Sequence, residues 1–222
     1  MIEIKDIHGE VLLPYTGDTL VGANLRGAHL KRAELEGADL TDACLESAFL
    51  YGADLTRANL TRANLRGADL MGADLTGARL EGADLTGARA WFADLMGVDL
   101  SGVKLEKASL MCANLAVANL TEAKLFGAEL KSAIMRGANL RGADLRGADL
   151  TRAELVAADL TRADMTGADL RFAILNKDDP TYLIAAYLIT DELPGAFYLK
   201  GRPPIGLPKE ILNQLTVTEE PL

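Results

Sequence analysis

Metal, nucleophilic and acid–base chemistry each demand particular side chains at particular spacings, and this chain supplies few of them. It has two cysteines, Cys44 and Cys112, and two histidines, His8 and His29. Neither histidine has a cysteine or carboxylate set around it at metal-ligand spacing. No Ser-His-Asp set or glycine-rich phosphate loop is present. The expectation is therefore a protein without metal, cofactor or catalysis, because an active site needs a concave pocket of converging groups. Two other sets recur at a spacing of twenty. Glu34, Asp54, Asp74 and Asp94, with Glu36 beside them, form an acidic ladder. Tyr51, Met71, Trp91 and Met111, flanked by Phe49, Phe92 and Cys112, form an apolar stripe. An array of carboxylates is suited to a basic groove, whereas contiguous apolar and aromatic side chains are suited to protein recognition.

A spacing of twenty has meaning only if the backbone brings residues i and i+20 together. From Leu20 to Leu175 a large apolar residue falls at every fifth position, and 29 of the 32 positions are Leu. Met135 and Met165 are mild variants and Ala90 is the one lapse. Two residues before each, from Ala23 to Ala173, the residue is Ala except at Val98 and Val103. In an α-helix a period of five scatters Leu around the whole cylinder. In a straight strand the odd period flips each successive Leu to the opposite face. The chain must bend once per five residues to keep every Leu inside. Sixteen of the 21 glycines fall on the last position of a unit, where a tight turn needs unusual dihedrals. Four corners close a coil of twenty residues, and the 32 units then stack into about eight coils roughly 38 Å long. Ala90, just before Trp91, is expected to let Trp91 or Phe92 fold partly inward.

The runs Ala-Asp-Leu-Thr-Gly at 73–77 and 83–87 and Ala-Asn-Leu-Arg-Gly at 63–67 and 138–142 resemble the pentapeptide-repeat family. The resemblance covers roughly 70% of the chain. It implies an all-β solenoid, a right-handed quadrilateral β-helix with four repeats per coil. It also brings in a partner class, since some members imitate DNA in width and negative potential and occupy the DNA site of a type II topoisomerase. Several that act on DNA gyrase pair through their C-terminal ends.

An open stack exposes apolar core and unpaired strand edges at its ends, so caps are required. Residues 1–19 read as an N-terminal β-hairpin cap, with Ile2 to Ile7 and Val11 to Leu13 as strands and His8-Gly9-Glu10 as the turn. Residues 20–176 are the β-helix. Residues 177–222 read as a partly helical cap, with helices at Thr181 to Ile189 and near Lys209 to Leu215, a strand-like Ala196 to Leu199 and a disordered tail from Thr216. The alternative for that segment is a homodimerisation module using Tyr182, Tyr187, Phe197 and Tyr198. No secretory signal or membrane-spanning run is read, and the cytoplasm is the expected location.

Positions twenty apart stack in columns, so each face can be audited by itself. The Leu50 face carries four acids and six bases, and the Leu55 face six acids and three bases. The other two faces are nearly balanced, and the net charge of −9 comes mostly from the segments outside the repeat. The acidic ladder lies on the Leu55 face, where Arg57 and Arg136 interrupt it and many Asp side chains serve the repeat's own turns. The apolar stripe, with the chain's only Trp, lies on the adjacent Leu50 face. A non-enzymatic module binding an unknown protein partner is therefore the leading expectation. The alternatives are a DNA mimic directed at a type II topoisomerase and a structural spacer. Direct nucleic-acid or membrane binding is not expected.

Overall fold

The structure, a computed structural model, describes residues 2–174. Strands β1 (Ile2–Lys5) and β2 (Val11–Tyr15) form an antiparallel hairpin in which Ile2 faces Tyr15 and Ile4 faces Leu13. Asp6 closes the turn by accepting from the amides of His8 and Glu10, and Gly9 takes the left-handed conformation there at φ 80°. Ile4 is buried in the core, and the hairpin pairs onto the first coil through an antiparallel Asp6–Ala33 bridge. The amide of Glu34 donates to the Lys5 carbonyl at 2.8 Å, so part of the first coil's open edge is covered.

From Asn24 onward every parallel bridge joins residues twenty apart, ending with Glu154–Ile174. Four five-residue units therefore make one coil, without slippage along the described length. The unit ending at Gly72 shows how the amides are satisfied. Ala68 donates to the Leu65 carbonyl across the preceding turn, Asp69 donates to Ala48 on the preceding coil, and Leu70 and Gly72 donate to Arg89 and Trp91 on the following one. The remaining amide, that of Met71, donates to the Asp69 side chain. No amide of that unit lacks a partner, which is why Asp or Asn suits the position before Leu.

The last position of every unit from Gly22 to Phe172 has a positive φ. It is the third residue of a turn that needs the left-handed region, which explains the glycines. The Leu and Ala columns fill the interior, with most members almost wholly inaccessible to solvent. Each buried Leu contributes about 1.5–3 kcal/mol relative to an exposed one. Burial loosens at the two ends of the described stack, at Ala28 and Ala38 in the first coil and at Leu160, Ala163, Leu170 and Ala173 near the last. No helix among the described residues is long and apolar enough to cross a membrane.

Candidate protein-interaction face

On the Leu50 face the bridges His29–Phe49–Asp69–Arg89–Ser109–Glu129 set the coils in register, so Tyr51, Met71, Trp91 and Met111 stand one above another. Tyr51 is exposed and the other three are half-buried. Phe49, 46% exposed, stacks on His29 with ring centres 4.8 Å apart. Phe92 is 65% exposed and sits in a left-handed turn position, which turns its ring outward. Lys31 lies 5.3 Å over the Tyr51 ring, a cation–π contact at the N-terminal end of the stripe.

Trp91 departs from the expectation that Ala90 would admit it or Phe92 into the core. Its indole N–H donates to the hydroxyl of Ser109, an outward position of the next coil, and Ser109 donates in turn to Glu129. Arg89 lies 5.8 Å from the indole centre and pairs with Asp69 at 3.7 Å. A buried indole N–H needs an acceptor, and the Leu and Ala interior offers none. The ring therefore stays on the outside, half-buried, and reaches Ser109, the one buried polar side chain among the described residues. Ala90 itself stays buried.

On the Leu55 face Glu34, Asp54, Asp74 and Asp94 are bridged in one line. Three of the four carboxylates are engaged locally. Asp54 accepts from the amide and hydroxyl of Thr56, Asp74 from the amide of Thr76, and Asp94 from Met96 and Asn114. Glu36 pairs with Arg57 at 3.3 Å. This ladder is largely the repeat's own turn chemistry.

A family model described as pentapeptide repeats matches eight copies, spanning residues 20–57, 45–77, 53–89, 63–102, 93–131 and 133–171. The chain belongs to the pentapeptide repeat family. No curated protein matches it in sequence. Among solved structures it is similar to HetL, a pentapeptide repeat protein involved in heterocyst differentiation regulation in the cyanobacterium Nostoc sp. strain PCC 7120. That likeness has 39% identity over 68% of this chain and 74% of HetL, with a TM-score of 0.35. It is also similar to full-length QnrB1, a plasmid-mediated fluoroquinolone resistance protein, at 20% identity over 75% of this chain and 94% of QnrB1, with a TM-score of 0.48. A second Nostoc PCC 7120 pentapeptide repeat protein, alr5209, is 33% identical over 47% of this chain and 81% of its own, with a TM-score of 0.29.

Several residues of this pentapeptide repeat surface escape a reading by residue type. Ser109, Glu129 and Arg89 gain their roles from Trp91, and Lys31 from Tyr51. A second exposed apolar group, Met96, Val117, Ile134, Val156 and Ile174, lies on the Leu55 face beyond the acidic ladder. Following the ladder's own column past Asp94 to Asn114 and Ile134 reveals part of it. A shallow open depression of about 310 Å³ is lined by His29, Lys31, Phe49, Tyr51 and Asp69 at the end of the stripe. Among the described residues no group of His, Cys, Asp and Glu is placed to hold a metal ion, and Cys44 and Cys112 are free thiols. Tyr182, Tyr187, Phe197 and Tyr198 lie outside the described residues.

Proposed function

We propose that this chain is a non-enzymatic, cytoplasmic protein–protein interaction module whose contact surface is the Leu50 face. The observation that carries the reading is the Tyr51-Met71-Trp91-Met111 stripe, in register over four coils and flanked by the exposed Phe49 and Phe92. A ladder that only stiffened the sheet would have its rings covered by one another. Here Phe92 and Phe49 keep 65% and 46% of their surface in water, the condition of a surface that gains by being covered. The Trp91–Ser109 hydrogen bond and the cations over Tyr51 and Trp91 hold the rings in place, so little side-chain entropy is lost on binding. The scaffold in this reading is the right-handed quadrilateral coil that the family resemblance implies.

Affinity capture from the native host tests it, comparing the full chain with a Trp91→Glu, Met71→Lys variant. The variant should lose the partner and keep its circular dichroism spectrum. Equal capture by both removes the Leu50 face from the mechanism. A DNA mimic acting on a type II topoisomerase is the second reading, supported by the registered line Glu34-Asp54-Asp74-Asp94. A gyrase supercoiling assay, with and without a fluoroquinolone, decides it. Absence of both inhibition and protection at micromolar protein disposes of the mimic.

A further inference from the structure

The stripe on the Leu50 face is one residue wide and runs along the solenoid axis, and its dimensions restrict what can lie on it. Successive coils are ~4.8 Å apart, so Tyr51 to Met111 spans roughly 14 Å. The next residues outward in the same column are Lys31 and Lys131, and they stand roughly 24 Å apart. A β-strand laid along the axis presents side chains of one face every ~6.8 Å and falls out of step by its second contact. An α-helix presents one side chain per turn at i, i+3, i+7 and i+10, an average advance of about 5.0 Å. It stays within about 1.5 Å of the coils across all four.

The neighbouring column leaves room for such a helix beside the first two stripe residues. Beside Tyr51 and Met71 stand Gly52 and Gly72, and a Cβ added at Gly72 would meet nothing within 4 Å. The surface there is low, between Arg32 and Phe92 in the same column. Charge is arranged along the same line. In the middle Arg89 is already paired with Asp69. At the ends neither Lys31 nor Lys131 takes part in an ion pair among the described residues.

We infer that the Leu50 face binds an amphipathic α-helix of a partner protein, laid along the solenoid axis, with apolar side chains against the four stripe residues and carboxylates near both ends against Lys31 and Lys131. The inference rests on the interaction reading above and adds the partner's secondary structure and charge. Helix-in-groove recognition reads anchors at i, i+3 and i+7, the pattern this spacing accepts.

The test titrates the full chain with a synthetic peptide of about 18 residues, the length that spans both lysines. The peptide carries Leu at i, i+3, i+7 and i+10 and Glu at each end. Two companions have a central Pro, or Lys in place of the end Glu residues. Fluorescence anisotropy of labelled peptide gives the affinity, and the emission of Trp91, the chain's only tryptophan, reports the site. The Glu-ended helix should bind saturably and shift the Trp91 emission. Binding should weaken about tenfold or more with the Pro peptide, with the Lys-ended peptide and with a Met71→Asp chain. A Lys31→Glu, Lys131→Glu chain should reverse the preference for end charge. The inference is overturned if no peptide binds saturably, if the Pro peptide binds as well, or if end charge makes no difference. It is also overturned if sedimentation shows a dimer that Met71→Asp converts to monomer, since a second copy then covers the face. Loss of partner capture by the Trp91→Glu, Met71→Lys variant, together with no peptide binding, would keep the interaction module and remove the helix.

Discussion

The indole of Trp91 is tied to the hydroxyl of Ser109, eighteen residues later in the chain but on the adjoining coil, and Ser109 is tied to Glu129 on the coil after that. One aromatic ring is thereby locked to three successive coils. The stripe is a preorganised surface at that point, because the ring's orientation is set before any partner arrives. Replacing Ser109 with Ala removes the acceptor and leaves the half-buried indole N–H to water. The expected loss is about 1 kcal/mol of stability, the typical worth of one hydrogen bond. Trp91 should also gain rotational freedom, seen as weaker near-ultraviolet circular dichroism and lower fluorescence anisotropy. An unchanged spectrum would mean that packing, not Ser109, orients the ring.

Outward and inward positions of the same unit should respond oppositely to charge. Leu70 is wholly buried, whereas Met71, the next residue, is half-buried on the stripe. Leu70→Asp places a carboxylate among apolar side chains and should destabilise the solenoid by about 4 kcal/mol or more. Met71→Asp should change stability by less than about 1 kcal/mol. Chemical denaturation followed by circular dichroism separates the two. Because each coil touches only its neighbours, hydrogen exchange in Leu70→Asp should be fastest in the coils directly above and below.

The scaffold was legible because backbone closure tolerates so few answers to a period of five. Leu and Ala must share an interior, and a bend per unit follows from the odd period. The columns are legible by the same route, which puts Tyr51 and Trp91 on one face from their spacing alone. Ser109 is not. It is buried and accepts the indole N–H, and nothing in its own type marks it. The expected inward turn of Trp91 or Phe92 at Ala90 failed for a related reason, since the space left by a missing Leu offers no acceptor for an indole N–H. The apolar group around Val117 and Ile134 follows from the same columns, since Ile134 stands in line with Asp94 and Asn114.

Acid should loosen the repeat in a defined window. The hydroxyls and amides of Thr41, Thr161 and Thr166 donate to Asp39, Asp159 and Asp164 and hold those carboxyls below their ordinary value. Arg146 and Arg171 do the same for Asp144 and Asp169. A carboxylate whose folded value is depressed contributes stability above its unfolded value, and that contribution is lost as pH falls through the folded value. Unfolded Asp titrates near about 3.9. The urea midpoint should therefore be flat from pH 7 to about 5 and fall below about 4. In Thr166→Val the Asp164 carboxyl should titrate closer to its ordinary value, measurable by NMR. A midpoint that falls instead between pH 7 and 5 would point to other groups.

Val117 occupies a turn position with φ 53°, a conformation that a β-branched residue rarely adopts. It stands between Gly97 and Gly137 in its column, and a Cβ added at Gly137 would lie 3.3 Å from its Cγ1. Val117→Gly should therefore stabilise the fold by about 1 kcal/mol through relief of the left-handed strain, less whatever packing its exposed side chain provides. Gly137→Ala, at φ 66°, should destabilise by about 1 kcal/mol from its own backbone, with a further steric contribution from Val117. The double variant isolates that contribution, because Val117→Gly removes the atom that the new Cβ meets. Denaturation midpoints of the two single variants and the double variant form a cycle whose coupling should be favourable by a few tenths of a kcal/mol or more. Strict additivity would show that the neighbouring coil yields freely, and that the strain at Val117 is a purely local backbone effect.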